Sequence, residues 1–341
     1  MCCRTELSGF RKAKEVDSIF FIVGMSRSGT TWLSKCLNLH EDIASFGETL
    51  FWGRGYIHPS AQGKYTPQQL EKVISRLANM RPGPRGDGPG CLTKETVERW
   101  PEIIRRGLSE SADMLISPAE VFKRLLTAVA AAEGKKIAVE KTPHHLNWIA
   151  RIKEAFPNAK FVATYRDPYD FMLSYKYQGG QRNKRVREVF QRQYHPLLAA
   201  VVWRGYMRSI VHAADKYPDS VLIIPLVEIN DNPKEVLDRV FLFLGVNQTI
   251  EKPLAKENSS FVAPVKPMLQ ADDIFWINLI ARKELVRGGF APRPLDPKIS
   301  RITWSILTLP VWLTKNLGDW NKRVRGSVIK YMWSWLKPKR F

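Results

Sequence analysis

Two kinds of segment alternate along the 341-residue chain. Short apolar runs at Ile19–Val23, Lys136–Val139, Lys160–Tyr165 and Val221–Leu226 predict strands. Helices are predicted after them at 30–39, 144–155, 168–177 and 233–244. In the last of these, Val236, Leu237, Val240, Phe241 and Leu244 recur at helical spacing, and Gly245 follows as a C-cap. Alternation of this kind predicts an α/β fold of three layers, a mostly parallel central sheet flanked by helices. Pro157–Ala159 reads as a short turn into the third strand.

Elsewhere the pattern changes. Between Phe51 and Gly134 it becomes helical, with a Gly- and Pro-rich loop at Asn79–Gly90. A helical insertion over 50–135, acting as a lid or acceptor subdomain, is the expectation. Residues 1–17 read as a tail and 18–299 as one domain. From 300 to 341 an apolar stripe runs through Ile302, Ile306, Leu309, Leu313, Leu317, Trp320, Val324, Val328, Tyr331 and Trp335, broken or kinked at Pro310.

Composition narrows the class. At 44% hydrophobic and 25% charged the chain is globular. Its net charge of +20 predicts attraction to phosphates, sulfates or anionic lipid headgroups. Cys2, Cys3, Cys36 and Cys91 show neither metal nor disulfide spacing, which predicts a reducing, cytoplasmic setting. The Cys2–Cys3 pair reads as part of a solvated tail. Charged residues run through to Ser18, unlike a secretory signal, and no segment has the ~20 apolar residues of a membrane span.

The candidate chemistry starts at Phe20–Leu33, FFIVGMSRSGTTWL. An apolar strand ends at Gly24, a small-residue turn follows, and a helix opens after Gly29: an arrangement that binds anions on backbone N–H groups and a helix dipole. Gly24 and Gly29 keep the spacing of a triphosphate P-loop, but Thr30 and Thr31 follow where that loop has Lys-Ser/Thr. The cation here is Arg27, earlier in the turn. A second grip lies in FVATYRDPYDFMLSYKY (residues 161–177). There a strand ends at Arg166, Asp167-Pro168 opens a helix, and Ser174 follows eight residues after the arginine.

Together these elements resemble the sulfotransferase superfamily, whose donor is 3′-phosphoadenosine-5′-phosphosulfate. The arginine in the first loop brings the chain nearer the tyrosylprotein-sulfotransferase-like branch. The resemblance extends over residues 18–268 and includes VEINDNPKEVLDRVFLFLG (Val227–Gly245). It implies a P-loop-like fold and a first loop, Arg27, Ser28, Gly29, Thr30 and Thr31 with Trp32 beside them, that binds the 5′-phosphosulfate. Arg166 and Ser174 would bind the 3′-phosphate. Glu48, in a Gly-Glu element, is implied as the catalytic base, and Lys141, in E-K-T-P, as the group that stabilises the transferring sulfuryl. His144 and His145 stand as alternative bases because imidazole titrates near neutrality. Such a donor needs two anion grips and no metal.

The implied partner is a small-molecule, carbohydrate or lipid acceptor. No nucleic-acid motif accompanies the charge, and no feature specifies an oligomeric state. Part of the charge is local: residues 301–341 hold nine basic residues against one acidic, with five of the eleven tryptophans. Two readings of that segment stay open, an anionic membrane surface or packing on the domain. A P-loop kinase or NTPase and a non-enzymatic basic module are the competing functional classes.

Overall fold

Five parallel strands carry the site. The computed structural model describes residues 18–60, 62–78, 94–105, 116–177, 188–189, 191–246, 250–255, 268–295 and 299–324, with backbone alone for 94–97 and 317–324. The strands are β1 (Ser18–Gly24), β2 (Ile43–Gly47), β3 (Ile137–Lys141), β4 (Lys160–Tyr165) and β5 (Val221–Pro225), in the spatial order β2-β3-β1-β4-β5. Strand side chains alternate between the two faces, as the pleat requires. Phe21, Val23, Ala44, Phe46, Phe161 and Ala163 enter one core, while Phe20, Ile22, Ile43, Val139 and Val162 enter the other. Burial on both faces explains why β1 and β4 are nearly continuous apolar runs.

Helices cover the two faces unequally. On the smaller side lie α1 (Thr30–Leu37), α8 (Leu226–Asp231) and α9 (Pro233–Leu244). On the larger side lie α2 (Pro67–Ala78), α3 (Lys94–Arg105), α4 (Pro118–Ala132), α5 (Ile149–Ala155), α6 (Pro168–Lys176), α7 (Pro196–Lys216), α10 (Ala271–Ile280) and α11 (Arg282–Arg287). Helix α4 begins as its sequence dictates, with Ser117 accepting from Glu120 N at 3.1 Å and Pro118 at a first-turn position. Helix α9 ends on Gly245 at φ 77°, the left-handed C-cap expected there.

Four details differ from expectation. Strand β2 was not predicted; it is short, and its Ser45 is buried by bonding to Ser34 and to the Asn38 side chain. Strand β3 runs on to Lys141, so that lysine is a strand residue and does not follow the strand. The helix predicted from 144 is a 3₁₀ turn over Pro143–Trp148, with α5 following. Helix α12 (Ile299–Val324) continues through Pro310, so of the break or kink expected there the break does not occur. Residues 1–17 and 325–341, the loop 79–90 and the 256–267 part of the resemblance lie outside the described residues.

Candidate active site

The strand order places the chemistry. Chain connections leave β1 toward β2 and β4 toward β5, so the crevice between the carboxyl ends of β1 and β4 is the topological switch point of the sheet. Open α/β sheets bind ligands there. The first loop leaves β1 on one side of that crevice and Arg166 follows β4 on the other.

Backbone geometry makes the first loop rigid. Gly24 has φ 121°, and a Cβ there would lie 2.1 Å from Thr164 O, so no other residue fits between β1 and β4. Met25 N donates to Thr164 O at 2.8 Å, and the Ser28 hydroxyl lies 2.5 Å from Met25 O and 2.6 Å from Thr164 Oγ1. Arg27 is held at φ 69°, a left-handed conformation costing a non-glycine residue roughly 1–2 kcal/mol. These bonds brace it. Gly29, at φ 84°, caps α1 against Leu226 and Ile229. The Ser28 hydroxyl is thus engaged inside the fold. Thr30 is buried and Thr31 is half-buried. Trp32 donates its indole N–H to Leu254 O at 2.9 Å, pinning that segment on α1.

The two grips meet. Arg27 Nε donates to Ser174 Oγ at 3.3 Å, and Arg166 Nη1 donates to Arg27 O at 3.3 Å. Ser174 is fully buried. Asp167 caps α6 by accepting from Tyr169 N and Asp170 N, both at 2.9 Å. Trp203 of α7 fixes the Arg166 carbonyl at 2.9 Å. Arg166 Nε is buried and finds no acceptor among the described residues. Burial lowers the Arg166 pKa against the pull of Asp170 and Asp167. A desolvated guanidinium with an unmet donor is the kind of site an anion completes.

Ser26 anchors the loop to the larger helical layer. Its hydroxyl is 3.3 Å from the Tyr206 hydroxyl, and Tyr206 stacks on His144 with ring centroids 6.4 Å apart. Burial raises the pKa of the neighbouring Tyr175, while Ser26, Arg27 and Tyr206 pull it back. Tyr206, absent from the sequence-derived candidates, lies on a helix whose buried positions Ala199, Trp203, Tyr206, Ile210 and Ala213 recur every three or four residues. That periodicity was the available signal for α7.

The β2–β3 corner holds the remaining candidates. Gly47 pairs with Lys141 in register, and Lys141 Nζ donates to Glu48 Oε1 at 2.9 Å. Lys141 is buried and the Glu48 side chain is 48% exposed, so the carboxylate faces solvent while its cation does not. Beneath them Glu140 is fully buried. Its Oε1 accepts from Thr49 N (3.0 Å), Thr49 Oγ1 (2.9 Å) and Thr142 Oγ1 (2.5 Å). Its Oε2 lies 2.8 Å from His145 Nδ1, a close polar contact though poorly aligned. Burial pushes the Glu140 pKa up, but His145, Thr142 and Thr49 outweigh it and hold the carboxyl below its ordinary value.

Four consecutive backbone N–H groups close on this cluster. Thr49 N donates to Glu140, Leu50 N to Thr142 Oγ1 (3.4 Å), Phe51 N to Thr49 Oγ1 (3.3 Å) and Trp52 N to His145 Nε2 (3.3 Å). Leu50 sits at φ 52° at the head of this turn. With His145 Nε2 turned toward Trp52 N, the ring nitrogen that faces Glu140 is Nδ1. His145 is buried, with both ring nitrogens turned toward groups of the fold. His144 is half-buried, on the loop side of the same 3₁₀ turn.

Fold and geometry together define a P-loop-like α/β protein with two arginines meeting at its switch point. Residues 20–250 match the model of the Sulfotransferase family, and the chain belongs to that family of enzymes. An uncharacterized protein of Aquifex aeolicus (strain VF5) is 23% identical over 229 residues, 65% of this chain and 25% of that one. The chain thus spans a quarter of the length of that curated relative. Among solved structures, the sulfotransferase domain of the Synechococcus PCC 7002 olefin synthase is 19% identical (TM-score 0.45), covering 86% of this chain and 96% of that one. A sulfotransferase from Alicyclobacillus acidocaldarius is also 19% identical (TM-score 0.43), covering 79% and 92%. These likenesses are too remote to carry a substrate across.

Proposed function

We propose that the chain transfers a sulfuryl group from 3′-phosphoadenosine-5′-phosphosulfate to an acceptor hydroxyl by in-line displacement. The observation that carries this reading is a row. Strand order β2-β3-β1-β4 sets Glu48, Lys141, the Arg27 loop and Arg166 side by side along one sheet edge, at about 4.8 Å per strand. A base, a buried cation and two arginine grips stand in the sequence such a reaction needs. Arg166 and Ser174 would hold the 3′-phosphate. Arg27, the loop N–H groups and the α1 dipole would hold the 5′-phosphosulfate and meet the negative charge that grows on the departing phosphate oxygen. Glu48 would take the acceptor proton as the new O–S bond forms and the old S–O bond breaks. Lys141 would then exchange its Glu48 contact for the transferring group. Catalysis here is mostly positioning and charge, by analogy with phosphoryl transfer.

The acceptor is a hydroxyl of a glycolipid, carbohydrate, small metabolite or tyrosine. The titration that tests the donor uses 3′,5′-bisphosphoadenosine and ATP, each with and without magnesium. Tight magnesium-independent binding of the bisphosphate, with weak ATP binding, is expected. Tight binding of magnesium-ATP in preference to the bisphosphate would overturn the reading in favour of an NTPase. Incubating the donor with lipid, sugar and phenol extracts, and weighing products for one added SO₃ group, would identify the acceptor.

A further inference from the structure

Helix α12 carries apolar residues on its inward and its outward sides. Its inward side docks through polar and apolar residues alike, Ile302 packing on the larger core and Trp312 against His195. Ser305 is buried, accepting from Trp276 Nε1 at 2.8 Å and offering its carbonyl to His195 Nε2 at 3.1 Å. Asn316, also buried, donates to Arg192 O at 3.5 Å. Outward lie Trp304 (69% exposed), Leu307 (65%) and Val311 (53%), spaced three and four apart and hence on one stripe. Ile299 and Ile306 are exposed as well. Five of the twelve exposed large hydrophobic side chains among the described residues therefore lie within Ile299–Val311 of this one helix. Scattered exposed apolar residues need no explanation, but such concentration marks an interaction surface.

We propose that this face docks on an anionic lipid surface, with α12 lying in the plane of the interface. Charge selects the partner. From Arg301 to Phe341 the sequence holds nine basic residues and one acidic, on a chain of net charge +20. Anionic headgroups attract such a segment, and tryptophan favours the headgroup boundary. A second copy of the chain is the other apolar partner available. A two-fold contact through this face would set two like-charged basic segments together, which opposes it. The helix lies on the bilayer, because no described helix is long and apolar enough to cross one. Docking would bring an enzyme whose acceptor is a lipid or membrane glycoconjugate to its substrate.

Co-sedimentation of the full chain with phosphatidylcholine vesicles, with and without phosphatidylserine, tests the proposal. Binding is expected to need phosphatidylserine and to fall steeply with added salt. The triple substitution Trp304→Ser, Leu307→Ser, Val311→Ser should weaken it about 100-fold or more. Leu307→Glu alone should weaken it measurably by adding repulsion. An unchanged melting temperature and bisphosphate affinity would show that these exposed substitutions leave the fold intact. Equal binding to both vesicle types, or wild-type binding by the folded triple variant, would overturn the proposal. So would a solution dimer that the triple variant converts to monomer, which assigns the face to a second copy. None of these outcomes bears on the donor reading.

Discussion

The two halves of the sheet edge are built on opposite terms. At β1 and β4 the loop is braced from behind: Arg27 is fixed by backbone conformation and donates to Ser174, while Arg166 keeps a buried Nε without an acceptor among the described residues. At β2 and β3 most of the polar groups bond to one another, although Glu140 Oε2 and His145 Nδ1 face each other at 2.8 Å without an aligned bond. Lys141 holds Glu48, and Glu140, Thr142, Thr49 and His145 receive four successive N–H groups of the turn. A site for a multiply charged donor can leave donors unmet because the ligand completes them. A base that must stay fixed while its acceptor changes needs its bonds made within the protein. The first half leaves one buried guanidinium donor open; the second is a more densely bonded scaffold presenting one half-exposed carboxylate.

The sharpest break between the halves would come from Glu48→Gln. If the carboxylate is the base, kcat should fall about 10²- to 10⁴-fold, while bisphosphate affinity, a property of the other half, stays near wild type. Loss of bisphosphate affinity instead would show the halves are one unit. Residual kcat rising with pH toward an imidazole-like inflection would transfer the role to His144.

Next in size is Glu140→Ala, which leaves the Thr49 N–H and the His145 and Thr142 side chains facing a cavity. Removing one partner of a buried pair costs about 3–5 kcal/mol, read as a lowered urea midpoint. Glu140→Gln keeps the shape and should cost less. It also carries a pH signature. The folded Glu140 pKa lies below its ordinary 4.5, so its contribution to stability is fully present above that value and is lost as pH falls through the lower, folded one. Melting temperature followed into acid should therefore fall in the wild type and flatten in Glu140→Gln. An identical acid slope in both would count against the clamp.

These two residues also show how much the sequence disclosed. Glu48 became a candidate through the family resemblance of its Gly-Glu context, and Arg27, Arg166 and Ser174 through their place and spacing in two loops, because those signals are local. Their pairings were not. Arg27 and Ser174 are 147 residues apart, and Lys141 and Glu48 are 93; only strand register brings each pair together. Glu140 lay within a quoted stretch yet showed no role, since a buried carboxylate looks the same in sequence as a solvated one. The two histidines were inseparable for a related reason. A 3₁₀ turn where an α-helix was expected directs His145 into the core and leaves His144 beside Tyr206. The Ile43–Gly47 strand was missed because only two of its five residues, Ile43 and Phe46, are large and apolar, and its serine is buried through hydrogen bonds formed with α1 and its C-cap.

Within the donor half, Arg166→Ala is expected to weaken bisphosphate binding about 10- to 150-fold, the worth of a charge-assisted contact. Calorimetry of the bisphosphate against adenosine 5′-phosphate locates the effect: the variant should lose affinity for the first and little for the second, which lacks the 3′ group. Equal losses would place Arg166 on the 5′ side.

The smallest effect belongs to Ser174→Ala, and it probes how the grips are joined. Ser174 is buried and accepts from Arg27 Nε at 3.3 Å, a long contact, so its removal should cost no more than a neutral hydrogen bond, about 0.5–1.5 kcal/mol or 2- to 12-fold in bisphosphate affinity. Which constant moves is more telling than how far. If Ser174 only binds the 3′-phosphate, KM for the donor rises and kcat holds. If it also aims Arg27, kcat should fall with it, because on the proposed mechanism Arg27 meets charge that develops only in the transition state. A kcat loss in Ser174→Ala that Ser174→Thr restores would show that the second grip aligns the first, making the two arginines one device across the switch point.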